Sequence, residues 1–199
     1  MPLVGYSISG IKISPDNKYI YIESPRVNSD GQRTYHVYGP DGSFIGETTA
    51  MCKTKSGTEF FVRERKQEEC KILEGINVNN KGLIFSKTIQ GRVYGRAKCT
   101  FDDHILIIAK TGEGIPLSGG RYLENSRDYV LDIDANTGDV QTIDPYLECG
   151  RDDFRYLSVA CVDFNYVGEI YALVIYFNTP GEITGDEKIV LYKWHKDER

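Results

Sequence analysis

The side chains best suited to recognition chemistry in this chain are four arginines. Arg26 and Arg33 lie in the segment 24–33, and Arg121 and Arg127 in the segment 111–128. A guanidinium presents planar, bidentate donors to a carboxylate or phosphate. The second segment also carries Gly112, Gly114, Gly119 and Gly120, with Tyr122 and Asn125 beside its arginines. Glycine lets a backbone approach a ligand closely. Arg26, Arg33, Arg121, Tyr122, Asn125 and Arg127 are therefore the candidate ligand-binding residues. The spacing is not that of a P-loop, because the Gly-Lys-Ser/Thr ending is absent. A solvated hairpin tip accounts for any one of these residues alone. Their concentration in two long segments is what points to contact with a ligand or partner.

Catalytic and metal motifs are weaker. Asp102-Asp103 and Asp152-Asp153 are paired carboxylates of the kind hydrolases use, but neighbours on a strand point to opposite faces. Asp132-x-Asp134-x-Asn136 begins like a calcium loop, yet Thr137 stands where such a loop needs Gly and Ile143 where it needs Glu. A turn in which Asp and Asn side chains bond the backbone explains the same residues. His36, His104 and His195 form no ligand cluster in sequence. Cys52, Cys70, Cys99, Cys149 and Cys161 are odd in number and lack Cys-x-x-Cys spacing. They read as small buried thiols in a reducing cytosol rather than as a disulfide framework or zinc site. No catalytic residue, metal ligand or cofactor is assigned.

The elements that position these residues alternate with period two. Ile11-Lys12-Ile13, Tyr19 to Ile22 and Thr34 to Tyr38 read as strands, punctuated by Ser14-Pro15-Asp16-Asn17 and Gly39-Pro40-Asp41-Gly42. The same grammar recurs around Asn79 to Gly82, Asp102-Asp103, Ala135 to Gly138 and Asn165 to Gly168. One stretch, 62–73, has helix-forming composition, but its apolar flanks favour a charged hairpin tip. The chain is thus expected to be all-β.

A repeat of strand, short turn, strand, longer loop, strand, turn, strand is that of a β-propeller blade. The run Ile13 to Tyr21 resembles the first hairpin of TolB-like and WD-type blades. The run Val130 to Val140 resembles the last hairpin of quinoprotein-type blades. Together they imply a single small propeller-like domain over 1–199, with four units near 8–50, 58–100, 101–145 and 155–195. Pairing of residues 2–7 with the strand near 187–194 is expected to close the ring. An irregular β-sandwich or barrel is the alternative architecture.

On the propeller reading the segments 24–33, 111–128 and 178–186 are long loops on one face. Binding residues concentrate on long loops carried by a rigid scaffold. The expected function is a non-enzymatic binding module holding a protein partner or a small anionic ligand. A hydrolase using the same face and a lectin-like carbohydrate binder are the alternatives. The 24 basic and 29 acidic residues give a net charge of −5, which argues against general nucleic-acid binding. An acidic inhibitor or immunity-type protein that blocks a basic partner fits that balance. The 14 tyrosines would suit an interface, although β propensity alone explains those in strands. No apolar run has membrane-spanning length, and no leader is visible at Met1 to Tyr6, so a cytoplasmic protein is expected.

Overall fold

The computed structural model describes residues 10–27, 33–65, 70–90, 92–111, 114–116, 122–124, 127–144, 156–165, 167–178 and 187–194. Among these residues every regular element is a β-strand. No helix there is long and apolar enough to cross a membrane.

The strands follow one another as antiparallel meanders. β1 (Ile11–Ile13), β2 (Ile20–Val27), β3 (Arg33–Tyr38) and β4 (Phe44–Thr48) form the first sheet in that order. β5 (Cys52–Lys53), β6 (Thr58–Arg65), β7 (Cys70–Asn77) and β8 (Leu83–Gln90) form the second. The charged stretch is a hairpin as expected, with Arg65 opposite Cys70 across β6 and β7. β9 (Arg92–Cys99), β10 (His104–Thr111), β13 (Arg127–Asp134) and β14 (Val140–Ile143) make a third meander. The short hairpin of β11 (Gly114–Pro116) and β12 (Tyr122–Glu124) is inserted between β10 and β13. β15 (Tyr156–Phe164), β16 (Ile170–Phe177) and β17 (Lys188–Trp194) make a fourth, three-stranded meander. The third and fourth share one seven-stranded sheet, joined by a single parallel bridge, Arg127 to Leu157.

The unit boundaries differ from those read in the sequence. Arg92–Cys99 belongs to the third meander, not the second, because Thr100 to Asp103 turns it directly back onto His104. The second sheet instead starts at the two-residue strand Cys52–Lys53, too short to register as a period-two pattern. The expected pairing of residues 2–7 lies outside the described residues. Within them β17 pairs with β16 alone.

The second sheet and the fourth meander supply the cores on the two faces of the third meander. Five consecutive residues of β10, Ile105 to Ala109, are buried, so both its faces are covered. Ile105, Ile107 and Ala109 pack with Phe60, Leu73 and Phe85 of the second sheet. Leu106 and Ile108 pack with Val159, Ile170 and Val174 of the fourth meander. A strand with two dry faces loses the polar alternation of a half-exposed strand, and the apolar run Ile105 to Ala109 is its sequence trace. The first sheet has a much smaller core of Tyr21, Tyr35 and Val37.

Candidate functional site

One turn is built four times and sets the polarity of the molecule. The first two strands of each meander are joined at Ser14, Thr54, Thr100 and Asn165. In each case the backbone N–H of that residue donates to a carbonyl four or five residues on, at Tyr19, Thr58, His104 and Glu169. The side-chain oxygen of the same residue then accepts the returning N–H at 2.9–3.0 Å. The fourth residue of each turn, Asn17, Gly57, Asp103 or Gly168, has positive φ. Only Gly, Asn and Asp tolerate that conformation readily, which explains their presence there.

A second turn type joins the third and fourth strands. Asn77 and Asp134 each cap two following N–H groups with Oδ1, and Lys81 and Gly138 adopt positive φ. The two turn types are tied together by the same bond in the second and third meanders. Val78 N–H donates to the Gly57 carbonyl, and Ala135 N–H donates to the Asp103 carbonyl, both at 2.9 Å. The tight turns of each meander therefore share one end of its strands.

The predicted arginines are distributed about the other end. Arg33 opens β3 opposite Val27, and Arg127 opens β13 opposite Thr111. Each is the first residue of the third strand of its meander, so the two hold equivalent positions. Arg33 pairs with Glu23, whose side chain is 6% exposed while that of Arg33 is 67% exposed. Arg26 is the penultimate residue of β2, and Tyr122 opens β12 opposite Pro116. Arg121 and Asn125 lie outside the described residues.

Tertiary structure also forms a site that no sequence motif announced. A cavity of about 300 Å³ opens at the tight-turn end. The two residues preceding each of Ser14, Thr54, Thr100 and Asn165 all line it. They are Lys12-Ile13, Cys52-Lys53, Lys98-Cys99 and Asp163-Phe164. The cavity thus marks where the first strands of all four meanders converge. Lys12 Nζ donates to the Met51 carbonyl at 3.0 Å and stands 4.8 Å from the Tyr35 ring centroid. Lys53 Nζ lies 4.3 Å from the Tyr19 ring centroid. Lys98 Nζ donates to Asp163 Oδ2 at 2.5 Å. Burial pushes the Tyr21 phenol in the wall of the cavity far above its ordinary range. The recoverable signal was the fourfold turn, since the lining residues stand at fixed offsets from it.

Three further charged clusters are structural in form. His104 Nδ1 lies 2.8 Å from Oδ1 of buried Asp132 across β10 and β13. That hydrogen bond raises the imidazole pKa against the opposing effect of burial. Asp128 Oδ2 accepts from Ser158 Oγ at 3.1 Å and from Val159 N–H at 2.9 Å, pinning the third meander to the fourth. Glu169 accepts from Lys193 at 2.7 Å, from Tyr171 at 2.8 Å and from Asn165 at 2.5 Å. These donors, Lys193 foremost, bring its carboxyl down to about 2. Asp102 accepts from Thr100 Oγ1 within its own turn, and Asp103 accepts from Ser56 N–H in the corresponding turn of the second meander. No group of three or more metal-ligating side chains occurs among the described residues.

No protein-family model matches the chain. No curated protein sequence matches it either. Among solved structures, hydrazine synthase of Kuenenia stuttgartiensis is similar, with a TM-score of 0.53 and 15% sequence identity. The match covers 87% of this chain and 54% of that one, so this chain spans about half the length of its structural neighbour. At that identity the likeness is one of fold.

Proposed function

We propose that this chain is a non-enzymatic binding module built as a four-unit, propeller-like domain. Its long-loop end holds a protein partner or a small anionic ligand. The observation that carries this reading is the fourfold repetition of the first-to-second-strand turn. It commits one end of the strands to short, self-satisfied turns. The strands flanking the segments 28–32, 112–126 and 179–186 terminate at the other end. A rigid scaffold with its long segments leaving from one side is the arrangement that binding proteins use. Face-to-face packing of successive meanders favours a propeller-like arrangement over a two-layer sandwich, because the third meander is covered on both faces. Pairing of the N-terminal residues with β17 is the corresponding proposal for ring closure.

The hydrolase alternative needs carboxylates free to act. Of the paired carboxylates that this alternative would use, Asp102 and Asp103 are engaged in turn hydrogen bonds, and Asp152 and Asp153 lie outside the described residues. The net charge of −5 supports a basic protein as the partner. The decisive experiment is quantitative capture from native lysate with the wild type and with Arg121→Ala/Arg127→Ala. Loss of specific partners in the variant, with an unchanged thermal transition, is the expected outcome. Identical partner sets would overturn the assignment of the loop end. A titration with inorganic pyrophosphate read by thermal shift tests the small-anion arm.

A further inference from the structure

The cavity at the tight-turn end takes part of its wall from each meander, and its charge is opposite to that of the chain. Among the described residues that line it, three are lysines and one is an aspartate, in a chain of net charge −5. Lys12 and Lys98 stand two residues before the capping residue of their turns, and Lys53 stands one before. Asp163 takes the equivalent place in the fourth meander and accepts from Lys98. That pair is neutral as a whole, so Lys12 and Lys53 give the lining its positive surplus. All three lysines are partly buried. Each is also held in place, Lys12 by the Met51 carbonyl, Lys53 by the Tyr19 ring and Lys98 by Asp163. Positive charge on a concave, partly dry wall is screened less than on an open surface. Folding has already ordered these side chains, which lowers the entropy a ligand must overcome. Much of the remaining wall is apolar. Ile11 and Ile13 of β1 line the cavity yet are 58% and 62% exposed. Phe164 lines it too, with the exposed Phe101 ring edge-on at 5.5 Å. Apolar side chains gathered at a concavity and left in water mark a surface that a ligand covers. The volume of about 300 Å³ is at the small end of pockets that take organic ligands.

We infer that this cavity binds a small aromatic carboxylate, with its ring against Ile11, Ile13 and Phe164 and its carboxylate toward the lysines. The two halves of the lining select the two halves of the ligand. An inorganic anion would meet the positive surplus but leave the apolar wall in water. A neutral aromatic molecule would cover that wall but leave the surplus charge unmet. A volume of this size has room for about ten water molecules, so the ligand is of the order of one ring and a short acid chain. The site lies at the opposite end from the proposed loop-end binding surface and does not depend on it.

The test is isothermal titration of the full chain with cinnamate, with its neutral amide and with acetate. The expected result is saturable binding of cinnamate, binding of the amide about tenfold weaker, and no detectable binding of acetate at the same concentration. Ile13→Asp puts a carboxylate at an exposed position of the wall. It is expected to keep the wild-type thermal transition and to abolish cinnamate binding. Lys53→Gln is expected to weaken binding several-fold, and Lys53→Arg to retain it. If Ile13→Asp does not fold, the comparison of the two Lys53 variants still decides the question. Arg121→Ala/Arg127→Ala is expected to bind cinnamate as the wild type does. Loss of binding there, with binding kept in Ile13→Asp, would put the ligand at the loop end and overturn the proposal. So would equal binding of cinnamate and its amide, or no saturable binding of cinnamate at millimolar concentration.

Discussion

Arg33 shows how a binding candidate can also be a structural group. Its partner Glu23 is buried, so removing the guanidinium takes away a charge-assisted bond from a carboxylate that water reaches poorly. Arg33→Ala is expected to lower stability by about 1–3 kcal/mol in chemical denaturation. Glu23→Gln in the Arg33→Ala background should recover part of that loss. Any binding defect of Arg33→Ala must be judged against this change in stability. The His104–Asp132 pair gives a pH signature. The hydrogen bond that the ring N–H donates to buried Asp132 raises the imidazole pKa above its ordinary value. The stabilisation is therefore complete below the unfolded imidazole value of about 6.5 and is lost as pH rises through the elevated folded value. Nuclear magnetic resonance titration of His104 should show a midpoint above that of a free histidine, moving down in Asp132→Asn. An unshifted midpoint in the wild type would rule out the ion pair. Neither partnership was visible from spacing, because Asp132 read as part of a turn and Arg33 as part of a loop.

At the scale of the element, the turns carry the architecture. Gly42 and Gly138 both end third-to-fourth-strand turns with positive φ, yet they differ in surroundings. A Cβ on Gly42 would meet nothing within 4 Å, so Gly42→Ala is expected to cost only the left-handed backbone term of about 1–2 kcal/mol. A Cβ on Gly138 would fall 2.3 Å from Cβ of Phe85 in the second sheet. Gly138→Ala should therefore add an overpacking cost of about 1–3 kcal/mol to the backbone term. Equal losses for the two variants in urea denaturation would show that the third meander does not press on the second through this turn. The first hairpin was legible because Ser-Pro-Asp-Asn is a strong turn signal. Its three counterparts, Thr54-Lys-Ser-Gly, Thr100-Phe-Asp-Asp and Asn165-Tyr-Val-Gly, share only a capping oxygen and a residue that tolerates positive φ. A geometry that accepts Ser, Thr or Asn at one place and Asn, Gly or Asp at another leaves a faint trace in any single sequence. This is why the second and third units were mis-bounded.

Across the whole molecule the meanders are unequal. β10 is dry on both faces, whereas the first sheet exposes Ile11, Ile13, Phe44 and Ile45 and has a small core. Amide hydrogen exchange is therefore expected to be slowest in β10 and β13 and markedly faster in β1 to β4. Uniform protection across the meanders would contradict this gradient. The gradient bears on the proposed binding surface, because Arg26 and Arg33 sit on the sheet expected to be less protected and Arg127 on the one expected to be most protected. What the sequence determined by itself was the all-β class, most strand positions, the chemistry of the strongest turns and the segments carrying the arginines. Those are properties of neighbours along the chain, written in period-two alternation and in turn residues. The tertiary structure alone decided which strands share a meander and that four first strands converge on one cavity. Burial and contact between sheets depend on how the chain packs in space, and sequence spacing carries no record of residues that meet only after folding.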